Sequence, residues 1–190
     1  MFAFEEAIGF SFGGLGKDKD GVAAAAVFGE LLADAHARGQ TLAAHWEDVQ
    51  RRYGYREGYR SGHFLADPPS RSLAVFERLR ARPPAAVGGL RVVAVRDLGA
   101  GTDTAQPGGR TVLPWQPSDL MLTLTLEGGA AVTLRASGTE PKLKYYIEAA
   151  GAEGEGAGAL DQRLSALEAA VAEELVQPQR HGLKAKGAAA

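Results

Sequence analysis

Arg135-Ala136-Ser137-Gly138-Thr139-Glu140-Pro141-Lys142 stands between two strand-like stretches and is the most chemically loaded segment of this 190-residue chain. Before it, Leu120 to Leu126 and Ala130 to Leu134 read as two strands joined at Glu127-Gly128-Gly129, a hairpin signal. After it, Lys144 to Ala149 reads as another strand. The segment offers a guanidinium, two hydroxyls and a glycine that lets backbone approach a ligand with no Cβ in the way. Successive backbone N–H groups in such a turn form an anion-binding nest. Arginine suits phosphate oxygens bidentately, and Lys142 and Lys144 add positive charge. These features describe a phosphate-binding loop, although composition alone leaves an ordinary turn with a surface arginine equally open. No Walker pattern is present, and no Gly-x-Gly-x-x-Gly opens a helix.

Working outward, Gly151 to Gly158 reads as a Gly/Ala/Glu linker, and Ala159 to Val176 as an amphipathic helix with Leu160, Leu164, Leu167, Val171 and Leu175 inward. Leu90 to Asp97 reads as a strand, Gly99 to Gly109 as a long polar loop, and Arg71 to Ala81 as a helix with Leu73, Phe76 and Leu79 on one face. Asp67-Pro68-Pro69-Ser70 marks a break, because each proline biases its predecessor away from helix. Tyr55 to Phe64 fits a strand or an extended linker. Phe2 to Phe4 reads as a strand that runs into the acidic pair Glu5-Glu6, with nothing upstream to pair with. Gly9 to Gly16 reads as a turn. Val22 to Arg38 is a helix capped by Asp18 or Asp20 and stopped at Gly39; Thr41 caps a second, which ends at Gly54.

Charge and composition exclude several classes. Twenty-one Lys+Arg against 23 Asp+Glu give a net charge of −2, so neither nucleic acid nor an anionic membrane is the expected partner. Glu5-Glu6 interrupts any leader-like apolar run, there is no Cys, and a cytoplasmic protein is expected. The four histidines show no metal-ligand spacing. Lys alternates with Asp in Lys17-Asp18-Lys19-Asp20-Gly21, so helix capping suits that run better than calcium.

The string Arg135 to Tyr146 resembles the phosphate-binding signature of the α-D-phosphohexomutases, the phosphoglucomutase/phosphomannomutase superfamily. The resemblance extends across nearly the whole chain. Phe4-Glu5-Glu6-Ala7-Ile8-Gly9 is similar to the sugar-binding loop of that family's third domain, and Asp18 to Val22 to the stretch that follows it. Arg96-Asp97-Leu98, Gln106-Pro107, Val112-Leu113-Pro114 and Gln177-Pro178-Gln179 resemble the branch of phosphopentomutase-type phosphoglucomutases and glucose-1,6-bisphosphate synthases. Ala7 departs from the serine common in the family and agrees with that branch.

The resemblance implies an α+β chain: residues 1–56 a remnant of an α/β third domain, 57–69 a linker, 70–180 an antiparallel-sheet-plus-helices fourth domain, and 181–190 a frayed tail. It implies that Arg135, Ser137, Gly138 and Thr139, with Lys144, hold the phosphate of a sugar phosphate that is not transferred. Glu5 and Glu6 are then the sugar-binding carboxylates, and Lys19 a basic residue near the reacting centre. It also implies Mg2+ for the full-length enzyme and a sugar 1,6-bisphosphate as activator. Neither a Ser-His-Asn nucleophile loop nor an Asp-x-Asp-x-Asp metal loop occurs in the 190 residues, so N-terminal mutase domains are expected as partners for activity. Two other readings stay open: a non-catalytic phosphosugar-binding module or gene fragment, and part of a glucose-1,6-bisphosphate synthase.

Overall fold

The computed structural model describes residues 2–5, 9–14, 18–53, 57–152, 155 and 157–185. The chain divides into two compact units, Met1–Gly54 and Tyr55–Ala190.

The first unit opens with a hairpin. Strands β1 (Phe2–Glu5) and β2 (Gly9–Phe12) pair antiparallel, with Phe2 opposite Phe12 and Glu5 opposite Gly9. The first strand therefore finds its partner downstream, in residues expected to be turn. Phe10 and Phe12 alternate with small and polar neighbours, which is the period of a strand, and the Phe2 ring packs 5.0 Å from that of Phe12. Helix α1 (Gly21–Ala37) starts where Asp20 Oδ1 accepts from the Val22 and Ala23 N–H groups at 2.9 and 3.0 Å. It stops at Gly39, whose φ of +70° only glycine adopts readily. Thr41 Oγ1 accepts from Ala44 N and starts α2 (Leu42–Tyr53); Gly54, the expected stop, lies outside the described residues. Ala35 alone among the described residues of this unit is fully buried, while Phe28, Trp46 and Tyr53 are exposed.

The second unit is a mixed α+β fold. Its elements are β3 (Glu57–Leu65), α3 (Ser70–Ala81), β4 (Ala86–Val87), β5 (Leu90–Asp97), β6 (Thr102–Asp103), β7 (Met121–Leu126), β8 (Ala131–Ala136), β9 (Lys142–Ala150), α4 (Ala157–Ala170), α5 (Pro178–His181) and β10 (Lys184–Ala185). Among the described residues the strands form one antiparallel sheet in the order β10-β3-β9-β8-β7-β5-β4, with β6 beside β5. Helix α4 continues through a π-helical turn, Val171–Val176, so the five apolar residues expected inward all reach the core. Each such side chain contributes roughly 1.5–3 kcal/mol by leaving water. They meet Phe64, Phe76, Leu79, Val132, Leu134, Leu143 and Ile147 in one cluster.

Three sequence expectations need correction. The stretch 57–69 is not simply a linker: Glu57–Leu65 pairs along its whole length with β9, because its alternation presents Gly58, Gly62 and Phe64 to the core face. The tail 181–190 is not wholly frayed, since Lys184 and Ala185 pair with Leu65 and Phe64. Within α3 the buried positions are Ser72, Val75, Phe76 and Leu79, and Leu73 faces out at 40% exposure.

Candidate functional site

The eight-residue segment is held between two rungs of the sheet. β8 ends at Ala136, whose N–H donates to Leu120 O, and β9 begins at Lys142. Ser137 N–H donates to Lys142 O at 2.9 Å and closes the loop, while Ala66 N–H donates to Pro141 O at 2.7 Å and fixes its far side. Arg135 and Lys144 face each other directly across β8 and β9.

Three consecutive backbone N–H groups, those of Gly138, Thr139 and Glu140, donate to no described residue. The Arg135 guanidinium is exposed and makes no hydrogen bond or ion pair to a described residue. Gly138 has neither a left-handed φ nor a neighbour that a Cβ would strike, so nothing inside the fold requires glycine there. Glu140, the loop's carboxylate, is turned to Lys142 at 2.7 Å. That hydrogen bond, then the Lys142, Lys144 and His63 charges, hold the Glu140 carboxyl below the usual carboxylate range. Sequence reading assigned no role to the Glu140–Lys142 pair; opposite charges flanking a proline in a tight turn were its signal. The loop thus offers unpaired donors and a guanidinium while its own negative charge is neutralised, an arrangement suited to an anion.

Behind the loop, Arg80 grips Asp97 bidentately at 2.6 and 2.8 Å and donates to Asp119 O at 3.1 Å. Asp97 also accepts from Gly99 and Ala100 N–H. This brace ties α3 to β5 and to the strand-like residues that receive Ala136.

In the first unit Glu5 and Lys19 meet. Lys19 Nζ donates to Glu5 Oε2 at 3.0 Å, both side chains about half exposed. Three features aim the lysine. Asp20 N–H donates to Phe10 O at 2.9 Å and binds the segment to β2. Asp20 then starts the helix. Gly9, opposite Glu5, leaves room for the lysine stem, because a Cβ there would lie 2.2 Å from Lys19 Cδ. The hydrogen bond to Glu5, then its charge, raise the Lys19 pKa, so the ammonium stays charged beside the carboxylate. Lys19 also borders an apolar groove of 680 Å³ lined by Phe2, Phe10, Phe12 and Phe28. Glu6 and Ala7 lie outside the described residues. No three His, Asp or Glu side chains among the described residues group so as to hold a metal ion. Magnesium therefore finds no fitting donor set there. No helix is long and apolar enough to cross a membrane.

No family model matches the chain. Curated proteins do. The chain is 38% identical over 189 residues to the glucose 1,6-bisphosphate synthase of Homo sapiens, covering 96% of this chain and 30% of that protein. It is 35% identical over 192 residues to the phosphopentomutase of Homo sapiens, covering 98% and 31% respectively. A probable phosphoribomutase of Schizosaccharomyces pombe is 34% identical over 188 residues. By sequence the chain belongs to the phosphohexomutase superfamily. It spans about 30% of the length of these relatives.

Proposed function

We propose that this chain is the C-terminal, substrate-binding portion of a phosphosugar mutase of the phosphoglucomutase/phosphopentomutase kind, an isomerase that transfers a phosphoryl group within its substrate by way of a sugar bisphosphate. The supporting observation is the row of three unpaired backbone N–H groups at 138–140 beside the unpaired Arg135 guanidinium. In this reading Arg135, Ser137, Gly138, Thr139 and Lys144 hold the phosphate that stays on the sugar. They fix the substrate's orientation and contribute no covalent step. Glu5 accepts hydrogen bonds from sugar hydroxyls. The protonated Lys19 beside it supplies positive charge, or a proton, near the reacting oxygen.

The nucleophile and metal of such a reaction belong to sequence that the 190 residues do not contain, so the chain alone binds and does not turn over. Phosphoryl transfer needs a positioned acceptor and neutralisation of the developing charge, and neither is supplied by the clamp. The names of the relatives also favour a second reading, synthesis of glucose 1,6-bisphosphate. The clamp serves both reactions equally, because it meets a sugar phosphate in each.

The test is isothermal titration with glucose 1-phosphate, ribose 1-phosphate and glucose 1,6-bisphosphate, comparing the chain with Arg135→Ala. Loss of a charge-assisted phosphate contact costs about 1.5–3 kcal/mol. Equal binding by Arg135→Ala to all three would refute the clamp. Mutase turnover by the chain alone would refute its dependence on further domains.

A further inference from the structure

β3, β9 and β8 lie side by side, and their registers bring one basic residue from each into line. His63 stands opposite Lys144, and Lys144 opposite Arg135. Directly opposed residues of antiparallel strands project from the same face, with strands about 4.8 Å apart. His63, Lys144 and Arg135 therefore form a row across three strands.

The row lies on the face turned away from the core. The rungs on either side of it, Phe64–Leu143–Ala136 and Gly62–Tyr145–Leu134, project the other way and supply core residues. The next rung on the basic face is Ser61–Tyr146–Thr133, three hydroxyls, and none of these residues belongs to the apolar cluster. The 137–141 loop leaves β8 and enters β9 at the end of the sheet where the basic row sits. His63 is also close enough to Glu140 of that loop for its charge to help hold the Glu140 carboxyl down. The imidazole thus belongs to the electrostatic surroundings of the loop, although it comes from a strand more than seventy residues earlier.

We propose that His63 is a third basic ligand of the phosphate held by the 137–141 loop, contacting the anion from the Lys144 side. This rests on the clamp reading above and deepens it. The ligand class is a phosphate monoester carried by a polar molecule: Arg135 and the loop N–H groups take one side of the phosphate, and the Lys144 ammonium and the His63 N–H the other. An imidazole donates at least one N–H in either protonation state, and it adds a positive charge when protonated. The hydroxyl rung beyond lies on the same face as the row, with Thr133 Oγ1 already hydrogen-bonded to Thr123 Oγ1 at 3.0 Å.

The experiment measures binding of inorganic phosphate and of glucose 1-phosphate to the 190-residue chain and to three variants, His63→Gln, His63→Lys and Arg135→Ala, with circular dichroism melting of each. His63→Gln keeps size and polarity and is expected to weaken both ligands about 3- to 10-fold, the scale of one ordinary net hydrogen bond. His63→Lys keeps a cation at the position and is expected to hold parental affinity, which a merely structural histidine would not explain. If Arg135→Ala weakens binding and His63→Gln does not, the His63 assignment is overturned and the clamp stands. If neither variant weakens binding, both are overturned. Loss by His63→Gln without rescue by His63→Lys also overturns it.

Discussion

Lys19 reaches Glu5 across Gly9: the ammonium sits 3.0 Å from the carboxylate because the residue facing Glu5 on the next strand has no side chain. A methyl group at position 9 would overlap the lysine stem. Gly9→Ala is therefore expected to swing Lys19 off Glu5. NMR titration of the Lys19 side chain would then show its pKa, raised in the parent, fall back toward the ordinary lysine value. The sign fixes the pH window as well. A lysine whose pKa rises on folding contributes stability that is complete below its unfolded value and is lost as pH climbs through the folded one. An unchanged Lys19 titration in Gly9→Ala would contradict this geometry.

Gly138 makes the opposite prediction. A Cβ there meets no atom and the backbone is not left-handed, so Gly138→Ala is expected to leave the melting temperature nearly unchanged, within about 0.5 kcal/mol of stability. Its phosphate affinity is expected to fall, because the new methyl group occupies the approach to the loop N–H groups. A variant destabilised without loss of binding would mean that the glycine serves the fold.

Asp97 is 7% exposed on its side chain and is satisfied by Arg80 and two backbone N–H groups. Asp97→Ala removes the carboxylate partner of Arg80, leaving it only the bond to Asp119 O, and loosens the brace behind Ala136. Breaking a buried pair costs roughly 3–5 kcal/mol, and the lower end applies since Arg80 is partly exposed. Chemical denaturation of the second unit is the measurement, and a loss under about 1 kcal/mol would contradict the brace.

Tyr145 lies over Gly62 and gives its hydroxyl to Glu168 at 2.5 Å. Burial first, and then that bond and the Glu168 charge, push the phenol up to about 12. Ultraviolet titration should show one tyrosine ionising well above the ordinary value near 10, and Tyr145→Phe should remove that component. Because the folded pKa is raised, the associated stability is whole below about pH 10 and is lost as pH climbs toward the folded value. An unchanged high-pH component in Tyr145→Phe would contradict the assignment.

The readable parts of the fold were those written in local chemistry. Asp20 and Thr41 mark helix starts by their side-chain oxygens, and the leucines of 160–175 mark a buried stripe by their spacing. The 135–142 loop stood out because its residues are consecutive. What escaped was pairing across distance. Gly9 to Phe12 has a strand's alternation but sits among glycines, so turn chemistry dominated its reading. Glu57 to Leu65 has a polar face and glycines on its core face, a weak apolar pattern for a strand paired along its length. No local signal tells which residue of β3 will oppose Lys144; that register follows from packing Phe64 and Leu143 into the same core. Neighbours contributed by another strand are thus the last thing a sequence discloses.

β8 and β9 carry Arg135 and Lys144 as partners within a continuous ladder. The gap between the two backbones is therefore the interstrand distance, about 4.8 Å, and no hinge separates them. The ladder fixes where the two side chains leave the backbone, and any change in the distance between their charged ends comes from their flexible stems while the sheet stays intact. In the proposed clamp the sheet would therefore set the two anchor points, and the side-chain stems would do the fitting to the anion.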